Sequence, residues 1–490
     1  MRRGRLAEAE QVLDLLKTRE RVELVRGDTQ DGGSGANVTL SPAERDLAER
    51  FASNAQQLAT AYEQLDQLDR HSDLSPEAQR RHNQLDEQVQ SQAETLDSLL
   101  GQAVGMLAAG PSQAAFEATV GERDAIRSQI ATLDERNGGH AAAVYFVPGE
   151  RATTFLVVTA QGAVGLVGGA GEEQLNKLAA QMRQLIQERS PGYRKIAGQL
   201  YSALIGPVAT TLQTAHVDTL MLYLVGALRY VPVAALYDSV AHRHLIEQYA
   251  LAVYTVGGLR DNLAESTAAE WIAAGVGVSR AFGAFTALTA VPAELQSVVR
   301  TKQDAAAVGA IPGERFLDEA FTREELHVLA RGNTTFSVLH VATHFKLVPE
   351  REDESQLLLG DGDLLSLRDL RRDPTLEFRK YDLITLSACN TSMGSDARPG
   401  SEFEGLATTL LKKGAHAVIA TLWEVNDAGT ARLMHAFYTA RGAKRGRSKA
   451  EALRQAQLAL LGGTVRDETG KFDFRQPYYW APFILMGNWL

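Results

Sequence analysis

The sequence predicts an α/β protein, a doubly wound and mostly parallel sheet preceded by a helical, coiled-coil arm. Three observations predict it. Near residue 136 the composition turns from Gln, Glu, Asp, Arg, Leu and Ala to segments rich in Val, Gly and aromatic residues. Before that point apolar residues recur three and four apart, as at Leu58, Tyr62, Leu65 and Leu68, which is the period of a helix with one buried face. From Trp271 onward short apolar runs alternate with helical patterns, the order expected of parallel strands joined by crossover helices.

Taken along the chain, residues 1–25 carry a helix, Gly4 to Lys17, that resembles the last helix of a tetratricopeptide repeat. No second copy follows at a period of about 34 residues, so it reads as a remnant or a truncated start. Residues 26–40 are rich in Gly, Asp and Ser and read as a flexible linker. In 41–136, Ser41-Pro-Ala-Glu44 has the capping-box pattern with proline at the first helical position, and Ser75-Pro-Glu77 gives a second start. Leu85, Val89, Leu96 and Leu99 form another narrow stripe. Narrow stripes beside long polar faces suit an antiparallel coiled-coil arm, which either packs on its own chain, self-associates or docks a regulatory protein.

Residues 137–262 read as a scaffold half. A hairpin, Ala141 to Val147 and Thr153 to Thr159, turns at Pro148-Gly-Glu150. Leu175, Leu178, Met182, Leu185 and Ile186 mark a helix, Thr219 to Leu224 a buried strand, Leu228 to Leu236 a return toward helix, and Ala250 to Thr255 another strand. Residues 263–490 contain strands at Trp271 to Val278, Phe336 to Thr343, Tyr381 to Ala388, Ala417 to Leu422 and Pro482 to Met486. Helices lie between them, two opened by the capping patterns Thr322-Arg-Glu-Glu325 and Ser448-Lys-Ala-Glu451.

Composition narrows the function. Hydrophobic and charged fractions of 45% and 22% are those of an ordinary globular protein. A net charge of −10 and a pI near 5.7 do not indicate general nucleic-acid binding, and the basic run Arg441 to Arg447 reads as a solvated loop. No apolar stretch is long enough to span a membrane, and the amino terminus lacks the apolar core of a secretory signal, so a cytoplasmic location is expected. No Cys/His group has zinc spacing. Gly360-Asp-Gly-Asp363 lacks the distal glutamate of a calcium loop and reads as a β-turn, so no metal or cofactor is expected.

The chemistry centres on Cys389, the one cysteine of 490 residues. It follows the apolar run from Tyr381 and opens the polar stretch Asn390-Thr-Ser-Met-Gly394. His344 follows the run from Phe336 in the same way, 389 − 344 = 45 residues earlier. A lone cysteine is commonly a small buried hydrophobe, and a lone histidine is commonly structural. Both residues terminate their strands, however, and ligands of open α/β sheets sit at the carboxyl ends of strands. That placement suits a thiolate nucleophile and its base.

Six ordered motifs carry a resemblance: Leu339-His-Val-Ala-Thr-His-Phe345, Leu357-Leu-Leu-Gly-Asp-Gly-Asp-Leu-Leu365, Leu386-Ser-Ala-Cys-Asn-Thr391, Glu402-Phe-Glu-Gly405, Ala420-Thr-Leu-Trp-Glu-Val-Asn-Asp427 and Tyr478-Tyr-Trp-Ala-Pro-Phe483. From roughly residue 140 to the end, the chain resembles the CHAT family, caspase-like cysteine peptidases related to caspases and separases. The resemblance implies a caspase-like fold with an inactive half and a catalytic half. It implies that His344 is the base and Cys389 the nucleophile of a thioester mechanism, and that the amides of Phe345 and Cys389 form the oxyanion hole. Many relatives have glycine where this chain has Phe345. The resemblance also implies that the loop holding Glu424 and Asp427 lines the pocket for the residue before the scissile bond, so a basic residue is expected there, paired with Asp427 first or Glu424 second. Either acid could instead cap the following helix. The expected partner is a protein or peptide substrate, and the expected function is a cysteine endopeptidase regulated by its helical region or by partners. The alternative is a degenerate member acting as a scaffold or signalling adaptor.

Overall fold

A computed structural model describes scattered residues between 50 and 134 and most of the chain from 139 to 490. In that second stretch it leaves out 225, 255–269, 305–308, 332–333, 347, 349–353, 388, 391–400, 424, 426, 444–446 and 467–469, and the side chains of 389–390, 401–404, 427 and 443. The expected repeat-like helix at 1–25 and linker at 26–40 lie outside the described residues.

The chain divides into two compact units, Met1–Glu122 and Arg123–Leu490. In the first, every described residue from 50 to 95 is helical. Gln92 donates a side-chain hydrogen bond to Gln57 and Arg81 donates one to Gln64. The partner numbers run in opposite senses, so the two helical stretches are antiparallel.

Among the described residues the second unit holds eighteen strands in chain order. The first four are β1 (Ala141–Pro148), β2 (Thr153–Thr159), β3 (Gly162–Gly168) and β4 (Thr219–Tyr223). A small hairpin, β5 (Tyr237–Asp238) and β6 (Arg243–His244), precedes β7 (Ala250–Tyr254). Then come β8 (Ala273–Gly277), β9 (Val299–Arg300), β10 (Ile311–Leu317), β11 (Val338–Ala342), β12 (His344–Lys346), β13 (Gln356–Leu358) and β14 (Leu364–Ser366). The last are β15 (Leu383–Leu386), β16 (Cys389–Asn390), β17 (Ala417–Thr421) and β18 (Phe483–Gly487).

Twelve strands form one sheet in the order β3-β2-β1-β4-β7-β18-β17-β15-β11-β8-β10-β9. Its pairings are parallel except for β1–β2, β2–β3 and β17–β18. Strands β4, β7, β8, β11 and β15 are buried along their whole length, as required of strands covered by helices on both faces. The C-terminal strand β18 joins the halves, lying antiparallel to β17 and parallel to β7. Strands β1, β4 and β7 therefore run opposite to β8, β11, β15 and β17. The carboxyl ends of the two sets lie at opposite rims of the same sheet.

Of the four expected helix starts, those at Ser41 and Ser75 lie outside the described residues, and the other two caps form: Thr322 accepts from the Glu325 amide and Ser448 from the Glu451 amide. The return toward helix expected at Leu228 to Leu236 is instead two 3-10 turns, Gly226–Tyr230 and Val233–Ala235. Pro232 accounts for the difference, since it lacks an N–H and disfavours helical geometry in the residue before it. A buried ionic group ties three segments together. Lys449, fully buried, donates to Asp382 at 2.8 Å, and the Trp271 indole donates to the other carboxylate oxygen at 2.7 Å. Burial pushes the Lys449 ammonium below its ordinary value, against the pull of Asp382.

Candidate active site

Strands β11 and β15 are adjacent and parallel, with Val338 opposite Leu383 and Val341 opposite Leu386. After each strand the chain continues as a short strand of a second, four-stranded sheet ordered β14-β13-β12-β16. Here His344 stands opposite Cys389 and Phe345 opposite Asn390, again in parallel register. The offset is the same in both ladders, 383 − 338 = 45 and 389 − 344 = 45. One register thus runs from the main sheet into the small one. Neighbouring strands lie about 4.8 Å apart, so the backbones of His344 and Cys389 are immediate neighbours.

Local bonds fix the bend on the histidine side. Thr343, buried at the bend, donates its hydroxyl to the Leu358 carbonyl of β13 at 2.8 Å, and Val278 donates its amide to the Ala342 carbonyl at 3.0 Å. On the other chain the Ser387 amide donates to the Val341 carbonyl at 2.8 Å.

His344 is 0% exposed. Its Nε2 lies 2.7 Å from the backbone carbonyl oxygen of Thr286. A carbonyl only accepts, so this contact puts the ring proton on Nε2 and, in the neutral ring, leaves Nδ1 as a lone-pair acceptor. Nδ1 is buried and has no hydrogen-bond partner among the described residues. The Phe285 ring packs on the imidazole, with centroids 5.3 Å apart and planes inclined at 32°. The imidazole is thus held at one nitrogen and backed by an aromatic ring, while its other nitrogen is buried and unengaged among the described residues.

His340, four residues earlier, is engaged elsewhere. Its Nε2 lies 3.0 Å from the buried Glu294 carboxylate and its Nδ1 3.3 Å from the Tyr438 hydroxyl, which in turn pairs with Thr385 at 2.7 Å. Both ring nitrogens are taken up by core groups. Burial and Glu294 hold the Tyr438 phenol above its ordinary value, so it stays a neutral hydrogen-bonding group.

The remaining expected site residues are placed as follows. Phe345 is buried in β12, between β13 and β16. Asp427 is the first residue of the helix Asp427–Ala443 at the carboxyl side of β17. Glu424 and the loop Gly394 to Gly400 lie outside the described residues. The Gly360 to Asp363 turn joins β13 to β14, with the Leu359 amide donating to the Asp363 carbonyl. Among the described residues no group of three or more His, Cys, Asp or Glu side chains is arranged to hold a metal ion.

Sequence reasoning missed Phe285 and Thr286. Their loop joins β8 to the helix Val291–Val298 and contains Phe282-Gly-Ala-Phe285, two aromatics around a glycine in a short Ala- and Thr-rich connection. That local pattern was the available signal.

An α/β sheet that delivers histidine and cysteine to adjacent strand ends defines a class of candidate thiol enzymes. The CHAT domain family matches residues 194–488, more than half of the chain, and the chain belongs to that family. The match begins after β1–β3, later than the position near 140 suggested by the motifs. Among solved structures the chain is similar to the Arg-specific cysteine proteinase gingipain R, at 10% identity and a TM-score of 0.36, over 64% of this chain and 74% of that one. It is similar also to the complex of Porphyromonas gingivalis RgpB pro- and mature domains, at 9% identity and a TM-score of 0.35, over 65% and 75% of the two chains. A comparison with curated proteins finds none that matches.

Proposed function

We propose that the chain is a caspase-like cysteine endopeptidase in which Cys389 is the nucleophile and His344 its base. One observation carries the reading: His344 and Cys389 are register partners on adjacent strands, and His344 has Nε2 fixed on the Thr286 carbonyl with Nδ1 unengaged among the described residues. In the proposed reaction the thiol proton passes to Nδ1 and the thiolate adds to the substrate carbonyl. The amides of Phe345 and Cys389 receive the oxyanion, each such donor being worth about 3–4 kcal/mol in acyl transfer. Collapse breaks the C–N bond, and the departing amine takes the proton from the imidazolium. Water, deprotonated by His344, then hydrolyses the thioester, and the thiol and neutral imidazole are restored.

A basic residue before the scissile bond pairs with Asp427, or with Glu424, in this reading. The support is the position of both acids just after β17, whose carboxyl end lies on the same rim as those of β11 and β15. The helical unit is the proposed docking site for a regulatory partner. The test is a peptide library with arginine or lysine at that position, cut by the wild type and left intact by Cys389→Ala. Asp427→Ala should abolish the basic preference and retain reaction with the thiol.

A second reading, a degenerate family member serving as a scaffold, is favoured by the complete burial of His344 and by the buried phenylalanine at 345. Alkylation separates the two. As the only cysteine, Cys389 reports unambiguously, and a thiol activated by His344 reacts fast near neutral pH, faster than in His344→Ala.

A further inference from the structure

The carbonyl on His344 comes from a loop, and that loop is hydrogen-bonded to a residue distant in sequence. The segment from Ser279 to Thr286 leaves the carboxyl end of β8 and is closed by two hydrogen bonds between Phe282 and Phe285. Its far end supplies the carbonyl on His344 and the ring against it. Its near end is held by Asp318. One carboxylate oxygen accepts from the Ser279 amide at 2.7 Å and the Arg280 amide at 3.3 Å, and the other accepts from the Ser279 hydroxyl at 2.7 Å.

Asp318 adopts φ = +51°, a conformation unfavourable for any residue with a Cβ. The other described non-glycine residues with positive φ, Arg189, His216 and His242, are exposed turn residues, whereas Asp318 is 7% exposed. Its backbone is pinned from the other side by the Gly360 to Asp363 turn. A Cβ on Gly360 would lie 1.7 Å from the Asp318 carbonyl oxygen, and the Gly360 amide donates to Phe321 at 2.7 Å. Gly362, at φ = +89°, lies so close to Phe282 that a Cβ would stand 2.8 Å from its ring. Arg323 holds the turn itself through Asp363 at 2.7 Å, and that guanidinium keeps the Asp363 carboxyl below its ordinary range. One turn therefore presses on both Asp318 and the loop that Asp318 grips.

The geometry points to Asp318 as a positioning residue: it fixes the Ser279 to Thr286 loop so that the Thr286 carbonyl holds the proton of His344 on Nε2 and turns Nδ1 toward its work. This rests on the proposed roles of Cys389 and His344. Freed from Asp318, the loop would release Nε2, and the imidazole would lose both its fixed tautomer and its direction. A misplacement of about 1 Å at a reacting group can cost of the order of 10²-fold in rate.

The test measures, on the full chain, the pH profile of Cys389 alkylation by iodoacetamide together with kcat and KM on a basic reporter peptide. Variants are His344→Ala, Asp318→Gly, which removes the carboxylate and relieves the backbone, and Asp318→Asn, which keeps an acceptor for the two amides. Asp318→Gly should move the alkylation profile toward that of His344→Ala and lower kcat by about 10²-fold with little change in KM. Asp318→Asn should restore much of both. If wild type and His344→Ala alkylate alike, the site reading itself is wrong. If they differ while Asp318→Gly keeps the wild-type profile and kcat, the positioning role is overturned. Should Asp318→Gly fail to fold by circular dichroism, Asp318→Ala, which also removes the acceptor for both amides, decides the matter on the same readouts, unchanged values again overturning it.

Discussion

The two rims of the central sheet are made by parallel strands of the same kind and finish in opposite ways. On the N-terminal side Tyr145, Tyr223 and Tyr254 stand in register across β1, β4 and β7. Their rings stack, with centroids 4.0 Å and 5.4 Å apart, and burial raises the Tyr254 phenol above its ordinary value. On the other rim β11 and β15 continue past their ends into a second ladder that pairs His344 with Cys389. A rim closed by stacked aromatic rings is a packing solution. A rim extended by a second ladder instead sets His344 beside Cys389, with one imidazole nitrogen unengaged among the described residues.

Breaking the rim proposed to be reactive should give the largest effect. Cys389→Ala should remove turnover entirely, and His344→Ala should lower it by about 10²–10⁴-fold, the usual range for loss of a general base, both read with a basic reporter peptide. His344→Ala should also lower the urea midpoint, because it empties a fully buried site. Next in size is Lys449→Met, which strands Asp382 in the core without its cation and should cost about 3–5 kcal/mol in urea unfolding. Adding Asp382→Asn should recover most of that loss, because the neutral amide can still accept from Trp271.

Tyr223→Leu addresses the closed rim. It removes two ring pairs, each worth about 0.5–1.5 kcal/mol, and should leave Cys389 alkylation unchanged. An altered alkylation rate would show that the rims communicate. The smallest effect is a pH response. Burial holds the His244 and His416 imidazoles below their ordinary value of 6.5, with Glu247 opposing at the first and Asp382 at the second. On acidification the unfolded chain binds these protons first, so the folded state loses stability from about pH 6.5 downward and is unaffected above it. Urea midpoints at about pH 7.5 and 5.5 should show the drop, and His416→Gln should flatten it.

Much of the sheet was legible because its inner strands are continuous apolar runs. The ends of β4, β7, β15 and β17 fall within a residue or two of the runs that announced them. Strand β10 was not, since Pro312, Gly313, Glu314 and Arg315 have poor strand propensity. It forms because Gly313 lets two backbones approach: a Cβ there would lie 2.0 Å from the Ala273 carbonyl. The hairpin of β13 and β14 was seen only as its turn, and β3 is a half-exposed edge strand with no apolar run to mark it.

At the site, the sequence by itself determined which residues could react: one cysteine and one histidine, each ending a buried strand, 45 residues apart. Strand ends are a local property, readable wherever an apolar run meets turn-forming residues. Only the tertiary structure decided the register that sets His344 against Cys389, the carbonyl that fixes the ring, and the distant aspartate that holds the loop carrying it. These are contacts between backbone groups of separate segments. A carbonyl oxygen belongs to every residue alike, so nothing in the identity of Thr286 announces its use; the fold alone selects it.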